Sequence, residues 1–370
     1  NTAIGFEALK DNTTGTENVA VGQLALTNNT TGDENTAVGR YSLGTNTTGE
    51  KNTALGHSTV ENNTTGDFNV GIGHGALQAN TTADNNTAVG YQSLDANTDG
   101  HSNTAVGKGS LGANTTGDQN TAVGYNAGTA NTTGAENVAV GYGALQTNTT
   151  ATKNVAVGLQ ALNSTTTGYQ NLAVGRRAGL SNTTGNNNVL VGHCAGHNIT
   201  EGGQNINIGG NTTVASATAS YSLVIGYNIV GKGANTGYIA PDGTSSSGIY
   251  QGNNSSSWST TSDKRIKKNI VDNTTGLDKI NQIQIRNFEY RKEDEITELP
   301  KHSAIEKSGI QIGVIAQEIE TILPDVVTEE STGVKSVDPS NLTWYLINAI
   351  KELSETNKDL KSRIEALESN

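Results

Sequence analysis

The chain has 370 residues, of which 33% are hydrophobic and 4% aromatic, with 45 glycines and no methionine. Its formal net charge of −12 argues against nucleic acid as a partner, because a surface that follows phosphates needs an excess of basic side chains. A single cysteine excludes an intrachain disulfide, and no segment has the roughly 20 apolar residues of a membrane helix or the pattern of a signal peptide. We therefore expect no membrane insertion. Because the first residue is not methionine, we expect a fragment or a processed form.

A repeat of seventeen residues occupies more than half of the chain. Each repeat opens with a phrase close to Asn-Thr-Ala-Val-Gly, as in residues 35–39, and most carry Asn-Thr-Thr-Gly further on, as in residues 46–49. Thirteen repeats run from Gly5 to Gly209 without an insertion or a deletion. A strict period predicts that each repeat stacks on the previous one, since a disordered linker would not need it.

Counted from the first asparagine of each repeat, positions 2 and 4 are Thr or aliphatic and alternate as one face of a short strand. Positions 8 and 9 are a small residue and, in most repeats, Leu, which predicts a second short strand. Glycine at position 5 provides a backbone shape or a close approach that a side chain would forbid. The Asn-Thr-Thr-Gly phrase predicts a turn whose Asn and Gly suit a positive φ.

These elements predict a parallel β-roll with one repeat per coil. Neighbouring coils then lie about 4.8 Å apart, so thirteen of them form a rod of about 60 Å, and the asparagines of successive coils are placed to form side-chain ladders. The core is thin, so we expect the roll to be stabilised by association with copies of itself. A calcium-binding roll is disfavoured, because its nine-residue repeat needs carboxylates where this chain has Thr and Asn.

The repeat phrase, with the small residue and Leu that follow it, resembles the left-handed β-roll heads of trimeric autotransporter adhesins and the repeats of phage tail-fibre-like proteins. Its period is longer than the usual unit of that family. Positions 6 and 7 vary, as in Arg40-Tyr41, so they form either a ligand-binding face or an unconstrained surface. His193, Cys194 and His197 are ligand types, but they lack the spacing and the fourth ligand of a metal site. We expect no metal and no other cofactor.

The repeat loses its register after Gly209, where residues 222–226 and 235–239 look like degenerate strands. Beyond Trp258 charged residues become frequent, and three of the four prolines lie there. The predicted organisation is a β-roll, a segment of degenerate repeats and linker, and a C-terminal domain, at residues 1–209, 210–256 and 257–370.

The junction Trp-Ser-Thr-Thr-Ser-Asp-Lys-Arg-Ile-Lys, residues 258–267, resembles the start of the endosialidase-type intramolecular chaperone. That family is a self-cleaving serine peptidase at the C-terminus of phage tail spikes and fibres. Three later segments match it in order, at residues 277–290, 313–324 and 336–353. The second of them contains Gly-Val-Ile-Ala-Gln, similar to a Gly-x-Ile-Ala-Gln helix of the family. The resemblance spans about 110 residues and implies a mixed α/β chaperone domain that assembles a homotrimer.

The resemblance also implies a cleaved bond, Thr261–Ser262, with Ser262 as the nucleophile and Lys267 as its base. A serine hydroxyl needs a base, and a lysine serves when desolvation or neighbouring cations favour its neutral form. Lys264 and Lys268 provide such cations. The Ser262 hydroxyl reaches the preceding carbonyl through a five-membered ring, so proximity assists the attack. The resemblance therefore implies a single-turnover autoproteolytic serine peptidase, and no multiple-turnover activity is expected.

The last segment has a heptad pattern over residues 342–368, with Ile, Asn and Ile at position a and Leu at position d. Ile at a with Leu at d favours two strands when taken alone, whereas the family resemblance implies three. We expect three, because three short heptads are weaker evidence than a globular domain that directs assembly. The predicted coiled-coil core consists of Leu346, Ile350, Leu353, Asn357, Leu360, Ile364 and Leu367.

Together these patterns predict a trimeric fibre or spike shaft whose C-terminal domain sets trimerisation and register and then releases itself. The alternative is a surface adhesin or receptor-binding protein whose variable roll positions bind a host cell-surface glycan or receptor. A glycan-cleaving spike is disfavoured, because acidic residues such as Asp33 and Glu34 form no evident pair across a groove. The expected location is a virion tail, a phage-tail-like particle or a bacterial cell surface.

Overall fold

A computed structural model of the chain describes residues 1–241, 248–252, 264–299, 305, 307–329 and 333–369. It divides into two compact units, Asn1–Ser262 and Asp263–Asn370. The first is a parallel β-solenoid, and the second is a small mixed unit that ends in a long helix. Both the predicted roll and the mixed α/β character of the C-terminal part are therefore confirmed.

Each coil of the solenoid contributes one short strand to a single sheet. Within the described residues sixteen strands join this sheet in chain order. The pairing is parallel with an offset of seventeen residues, as between Thr36 and Thr53, and this register holds through Leu223. The strands are β1 (Thr2–Ile4), β2 (Val19–Val21), β3 (Thr36–Val38), β4 (Thr53–Leu55), β5 (Val70–Ile72), β6 (Thr87–Val89), β7 (Thr104–Val106), β8 (Thr121–Val123), β9 (Val138–Val140), β10 (Val155–Val157), β11 (Leu172–Val174), β12 (Val189–Val191), β13 (Ile206–Ile208), β14 (Leu223–Gly226), β15 (Gly237–Ala240) and β16 (Ile249–Gln251).

The degenerate strands expected after Gly209 are present as β14 and β15. Leu223 pairs with Gly237, so the coil between these two strands has fourteen residues instead of seventeen. The last strand, β16, pairs with β15 in the antiparallel sense. The solenoid therefore ends with a shortened coil and a reversal of chain direction.

The interior of the roll lies on the face of each strand opposite to positions 2 and 4. In β3 the buried residue is Ala37 at position 3, whereas Thr36 and Val38 are half-buried. Positions 2 and 4 share a face, as the alternation predicts, but that face is the outer one. Alanine at position 3 fits because the roll is too thin for a larger residue in most coils.

The predicted second strand at positions 8 and 9 is wrong. Residues at positions 6 to 11 form a turn, in which the leucine at position 9 is fully buried with a left-handed backbone, as at Leu43 (φ 50°). Its amide still bonds along the axis, since the Leu43 N–H donates to the Thr59 carbonyl of the next coil at 3.1 Å. A seventeen-residue coil must reverse direction over a short path, so this side is curved rather than extended.

The Asn-Thr-Thr-Gly turn does not use the positive φ that we expected. Positive φ recurs at positions 5, 7, 9 and 17, and not at the Asn or Gly of this phrase. A Cβ on Gly49 would lie 2.5 Å from the Gly66 carbonyl oxygen, so glycine is needed there for close stacking. At position 5 the glycine is needed both for its backbone shape and for a close approach. Gly90 has φ +135°, and a Cβ there would lie 2.6 Å from the Gly107 carbonyl oxygen.

Two buried ladders of asparagine side chains run along the roll, as the repeat predicts. At position 1, the Asn35 N–H donates to Asn18 Oδ1 at 2.9 Å, and Asn35 Nδ2 donates to the Gly49 carbonyl at 2.8 Å. At position 12, Asn46 Nδ2 donates to Asn29 Oδ1 at 2.8 Å and to the same Gly49 carbonyl at 2.9 Å. The ladders satisfy polar groups that are shielded from water, so each coil depends on its neighbours.

The position-12 ladder is interrupted twice. Asn148 Oδ1 and Asn182 Oδ1 are buried without a hydrogen-bond partner. In both cases the next coil has no asparagine at position 12, because Thr165 and Ile199 occupy that place. The missing donor explains both unpaired oxygens.

One larger core residue is matched by two glycines. Leu190 replaces the usual alanine at position 3 and is fully buried. Position 9 is glycine in its own coil and in the preceding one, at Gly196 and Gly179. A Cβ on Gly179 would lie 2.7 Å from Leu190 Cδ1, and one on Gly196 would lie 2.5 Å from Leu190 Cδ2. The volume added at position 3 is therefore offset at position 9.

Within its described residues, the second unit has two small antiparallel strand pairs and three α-helices. Its buried core is Ile319, Leu323 and Val326. The Gly-Val-Ile-Ala-Gln segment noted above forms the end of a strand at Gln311–Gly313 and the start of a helix at Ala316–Glu320. The elements are α1 (Leu277–Ile280), β17 (Arg286–Phe288) paired with β18 (Gln311–Gly313), α2 (Ala316–Glu320), β19 (Val327–Glu329) paired with β20 (Lys335–Val337), α3 (Pro339–Glu368), and 3-10 turns at Lys264–Ile266, Glu293–Glu295 and Pro324–Val326.

Candidate functional site

The predicted cleavage site falls only partly within the described residues. Thr261 and Ser262 lie outside them, whereas Lys267 is described. Lys267 directly follows the 3-10 turn Lys264–Ile266, and its N–H donates to the Lys264 carbonyl at 3.2 Å. The side chains of Lys267 and of its neighbours Lys264 and Lys268 are exposed. This places the predicted base in a short cationic turn.

The segment that follows this turn is attached to the long helix α3. The Leu277 N–H donates to Glu352 Oε2 at 2.9 Å, which satisfies the first amide of α1. Asn348 Nδ2 donates to the carbonyls of Asn273 and Thr275 at 2.8 and 3.2 Å. These contacts join the segment after the predicted cleavage site to the helix that carries the heptad pattern.

Charged pairs support the small core of the second unit. Arg286 makes two hydrogen bonds of 3.1 Å to the Glu318 carboxylate, which links β17 to α2. Lys335 Nζ lies 2.6 Å from Glu320 Oε2, and this hydrogen bond raises the pKa of Lys335. Since these pairs are largely exposed, each contributes modestly to stability.

A hydrogen bond between a tyrosine and an aspartate joins α3 to the 3-10 turn that precedes β19. The Tyr345 hydroxyl donates to Asp325 Oδ2 at 2.5 Å. This hydrogen bond, with a smaller contribution from burial, raises the pKa of Tyr345 above its ordinary value. The bond therefore favours the protonated phenol in the folded state.

The heptad residues of α3 form an exposed apolar stripe in the single chain. The helix begins at Pro339, after Asp338 caps it by accepting the Ser340 N–H at 2.8 Å. Along it, Ile350 and Leu367 are 66% and 76% exposed. The predicted helix is confirmed, and its apolar stripe has no cover within the described part of its own chain. We call the seven predicted core residues the heptad stripe.

The roll carries a second exposed apolar surface. Positions 2 and 4 of every coil face outward, so Thr, Val, Ile and Leu side chains follow one another along the sheet. Ile4, Leu55 and Ile208 are among those that are exposed. We call this surface the outer stripe. A contiguous apolar surface of this length is typical of an interaction site.

Two of the three residues considered as metal ligands approach each other, since Cys194 Sγ lies 3.6 Å from His193 Nε2, but His197 is not part of this contact. His193 Nε2 lies 2.8 Å from Arg176 Nη1, and His197 Nδ1 lies 2.8 Å from the Cys194 carbonyl oxygen. Across the described ranges no group of three or more ligating side chains is placed to hold an ion. Nor does any helix in those ranges combine the length and apolarity that a bilayer crossing requires.

Comparison with known families bears on the C-terminal unit. Residues 262–328 match the family Peptidase_S74, chaperone of endosialidase. The match begins at Ser262 and covers α1, β17, β18 and α2. No solved structure matches the chain. The chain thus joins a β-solenoid to a C-terminal segment that is similar to the chaperone of endosialidase. Residues 336–353, whose resemblance we noted from sequence, lie beyond the matched segment.

The sequence singled out positions 6 and 7 as a variable surface, but it did not show how the side chains at position 6 are arranged. The side chains at position 6 are exposed in each coil from Phe6 to His193, and several of them stack on one another. The variability of this position hid a regularity, namely that no carboxylate occupies it in these coils.

Proposed function

We propose that this protein is a homotrimeric fibre or spike shaft that is assembled, and then released, by its own C-terminal chaperone domain. The observation that carries the proposal is the family match, which begins at Ser262 on a chain whose first thirteen coils form a uniform solenoid. The protein then acts outside the cell, on a virion tail, a phage-tail-like particle or a bacterial surface.

A uniform solenoid needs a device that sets its register. The Thr36 N–H bonds to the Asn52 carbonyl at 2.8 Å, and Thr53 repeats this bond to Asn69 at the same distance. When three such chains associate, a slip of one coil exchanges each contact for an equivalent one and costs little. A non-repeating domain at one end provides a unique starting point for alignment.

Two exposed apolar surfaces support self-association. The outer stripe follows the roll, and the heptad stripe follows α3. Both become buried if copies of the chain pack in parallel around a common axis. Asn357 would then form the single polar layer of the coil and would favour one alignment of the three helices.

In the proposed cleavage, the Ser262 hydroxyl attacks the Thr261 carbonyl while Lys267 accepts the hydroxyl proton. The C–N bond between Thr261 and Ser262 breaks, the proton passes to the leaving amine, and an ester joins the two residues. A solvent water then hydrolyses the ester, which leaves a carboxylate on Thr261 and a free amine and hydroxyl on Ser262. Because Lys267 is exposed in the single chain, we infer that assembly supplies the desolvation that favours its neutral form.

Release has a kinetic consequence. Once the chaperone domain has departed, the element that nucleated assembly is gone, and the trimer unfolds only over a high barrier. Cleavage after assembly would therefore turn an equilibrium assembly into a long-lived rod.

The test is expression of the full chain with Ser262→Ala and Lys267→Ala, followed by a denaturing gel and mass spectrometry. Wild type should yield fragments 1–261 and 262–370, and both variants should remain at full length. Lys307→Ala removes an exposed lysine outside the cationic turn, so it is the control and should be cleaved normally. Uncleaved wild type, or cleavage of the Ser262→Ala chain, would show that the proposed chemistry is wrong.

A separate experiment tests whether assembly precedes cleavage. Leu353→Asp places a charge in the heptad stripe, so we expect a monomer by analytical ultracentrifugation and an uncleaved chain on the gel. Ser362→Asp, on the outward side of the same helix, should leave the trimer and its cleavage intact. A cleaved monomeric Leu353→Asp chain would separate cleavage from trimerisation and contradict this order of events.

A second candidate function is favoured by the exposed side chains at position 6. Stacked rings and cations on a rigid scaffold are placed to bind an external ligand, as an adhesin or receptor-binding protein requires. This function is compatible with the first, because a shaft that remains after release can also bind a host glycan or receptor.

A further inference from the structure

Six consecutive coils present a continuous column of rings and one cation at position 6. Each member of the column is the residue after the position-5 glycine, which follows the strand of its coil. The column therefore runs parallel to the roll axis along one border of the sheet. We call it the position-6 column: His57, His74, Tyr91, Lys108, Tyr125 and Tyr142.

The members of the column are ordered by contact with each other. The His57 and His74 rings stack at 5.0 Å and 11°, and Tyr91 continues the stack at 5.5 Å from His74. Lys108 Nζ then lies 5.6 Å from the Tyr91 ring and 5.7 Å from the Tyr125 ring, which bridges the two stacks by cation–π contacts. Since neighbouring side chains restrain each other, the column is organised before any ligand arrives.

Stacking determines which chemistry the column offers. The ring faces are covered by neighbouring rings, as Tyr125 and Tyr142 show at 5.2 Å and 10°, so they provide no free platform for a sugar ring. The exposed edges carry tyrosine hydroxyls, imidazole nitrogens and the Lys108 ammonium group. The column is therefore a row of hydrogen-bond donors with positive charge, repeated about every 4.8 Å.

The column is also separated from the acidic groups of the roll. Residues 1–261 carry 15 acidic and 8 basic side chains, yet position 6 has no carboxylate from Phe6 to His193. Acidic residues concentrate at positions 16 and 17, before the strand, where they have a structural role: Asp118 Oδ1 accepts the His101 N–H of the preceding coil at 2.7 Å. No described ion pair involves Lys108. The Lys108 charge thus remains available to a ligand.

We propose that the position-6 column binds an extended acidic polysaccharide that lies along the roll axis. Such a chain presents several hydroxyls for each anionic group, and its sugars repeat at intervals close to the spacing of the coils, which suits many neutral donors and few cations. Nucleic acid fits less well, because its dense phosphates demand far more basic residues than this surface has. The inference rests on the second candidate function and names its ligand class.

Binding is measured with the full chain by calorimetry and biolayer interferometry. The probes are an alginate oligosaccharide, a chondroitin sulfate octasaccharide, neutral dextran and oligo-dT. We expect one or both acidic saccharides to bind, dextran and oligo-dT to bind at least tenfold more weakly, and affinity to fall as salt rises. The comparison of alginate with chondroitin sulfate tests whether a sulfate group improves recognition over carboxylates alone.

Substitutions locate the site. Lys108→Ala should weaken binding about tenfold through the loss of a charge-assisted contact, and Lys108→Glu should abolish it. Lys153→Ala removes an equally exposed cation at position 17 and is the control, with unchanged affinity expected. Far-UV circular dichroism and the guanidinium unfolding midpoint of each variant establish that the roll is intact.

Several outcomes overturn the proposal: no binding of either acidic saccharide by wild type, equal binding of oligo-dT, or equal losses in the Lys108→Ala and Lys153→Ala variants. Binding of neutral glycans alone on an array would retain the adhesin function while rejecting an acidic ligand. None of these results depends on the Ser262→Ala gel, so failure here is distinguishable from failure of the assembly function.

Discussion

Leu190 and Gly179 allow the packing of the roll to be tested as a volume exchange. In most other coils position 3 is alanine and position 9 is leucine, as at Ala156 and Leu162, whereas Leu190 places the large residue at position 3. The perturbation is to return this volume to position 9 of the preceding coil with Leu190→Ala and Gly179→Leu, separately and together.

The expected magnitudes follow from the contacts. Leu190 is fully buried, so Leu190→Ala should cost about 2–5 kcal/mol through lost transfer free energy and a cavity. Gly179→Leu alone should cost about 1–3 kcal/mol, because its Cβ would lie 2.7 Å from both Leu162 Cδ2 and Leu190 Cδ1. The backbone permits leucine, since Gly179 has φ +60° and Leu162 adopts φ 48° at the same repeat position. In the double variant the new side chain fills part of the cavity, so a favourable coupling free energy of at least about 1.5 kcal/mol is expected.

The assay is guanidinium unfolding of the full chain followed by far-UV circular dichroism. Hydrogen exchange of peptides from residues 172–200 is measured in parallel, because repeat arrays open locally. The control cycle combines Gly179→Leu with Leu94→Ala, five coils away or about 24 Å, where additivity within about 0.5 kcal/mol is expected. If the double-mutant cycle of Leu190→Ala with Gly179→Leu is equally additive, Leu190 and Gly179 do not compete for the same volume, and the packing argument is refuted.

Other sites test the ladders, the core and the second unit. Asn97→Ala removes two side-chain hydrogen bonds of 3.2 and 2.9 Å and the acceptor of a third at 2.8 Å, which leaves the buried Asn80 Oδ1 without this donor. It should cost about 3 kcal/mol or more and raise exchange in the adjacent coils, and a loss under about 1 kcal/mol would contradict a stabilising ladder. Asn207 is buried at position 3 with both amide atoms unpaired, so Asn207→Ala should raise the unfolding midpoint, corresponding to about 1–2 kcal/mol. An unchanged or lower midpoint would show that the amide has a partner.

For Tyr345, the raised folded-state pKa means that its stabilising contribution is present below about pH 10 and is lost as pH rises through that pKa. The second unit should therefore unfold more readily in alkali. Tyr345→Phe should remove this part of the pH dependence and cost up to about 1 kcal/mol at neutral pH, as read from exchange of α3 peptides. If the stability of the variant falls with rising pH as steeply as that of wild type, Tyr345 is not the source of this pH dependence.

The local and repeated features of this protein were readable from sequence. A period of seventeen without interruption required stacked coils, the alternation of positions 2 and 4 placed one strand in each, and the recurring asparagines indicated ladders. The heptads ending at Leu367 predicted the long helix. Each of these signals is carried by neighbouring residues or by identical residues one coil apart, so no knowledge of distant packing was needed.

The tertiary structure decided which side of each strand became the interior. Alternation requires Thr36 and Val38 to share a face, but only the direction in which the chain closes determines that Ala37 points inward. The same closure places Leu43 in a left-handed turn instead of a strand, brings Leu190 against Gly179, and stacks the variable residues of position 6 into a column. Sequence by itself thus determined the repeat, its single strand and the terminal helix. The interior face, the volume exchange and the exposed column depend on contacts between coils, which form only after the chain has turned on itself.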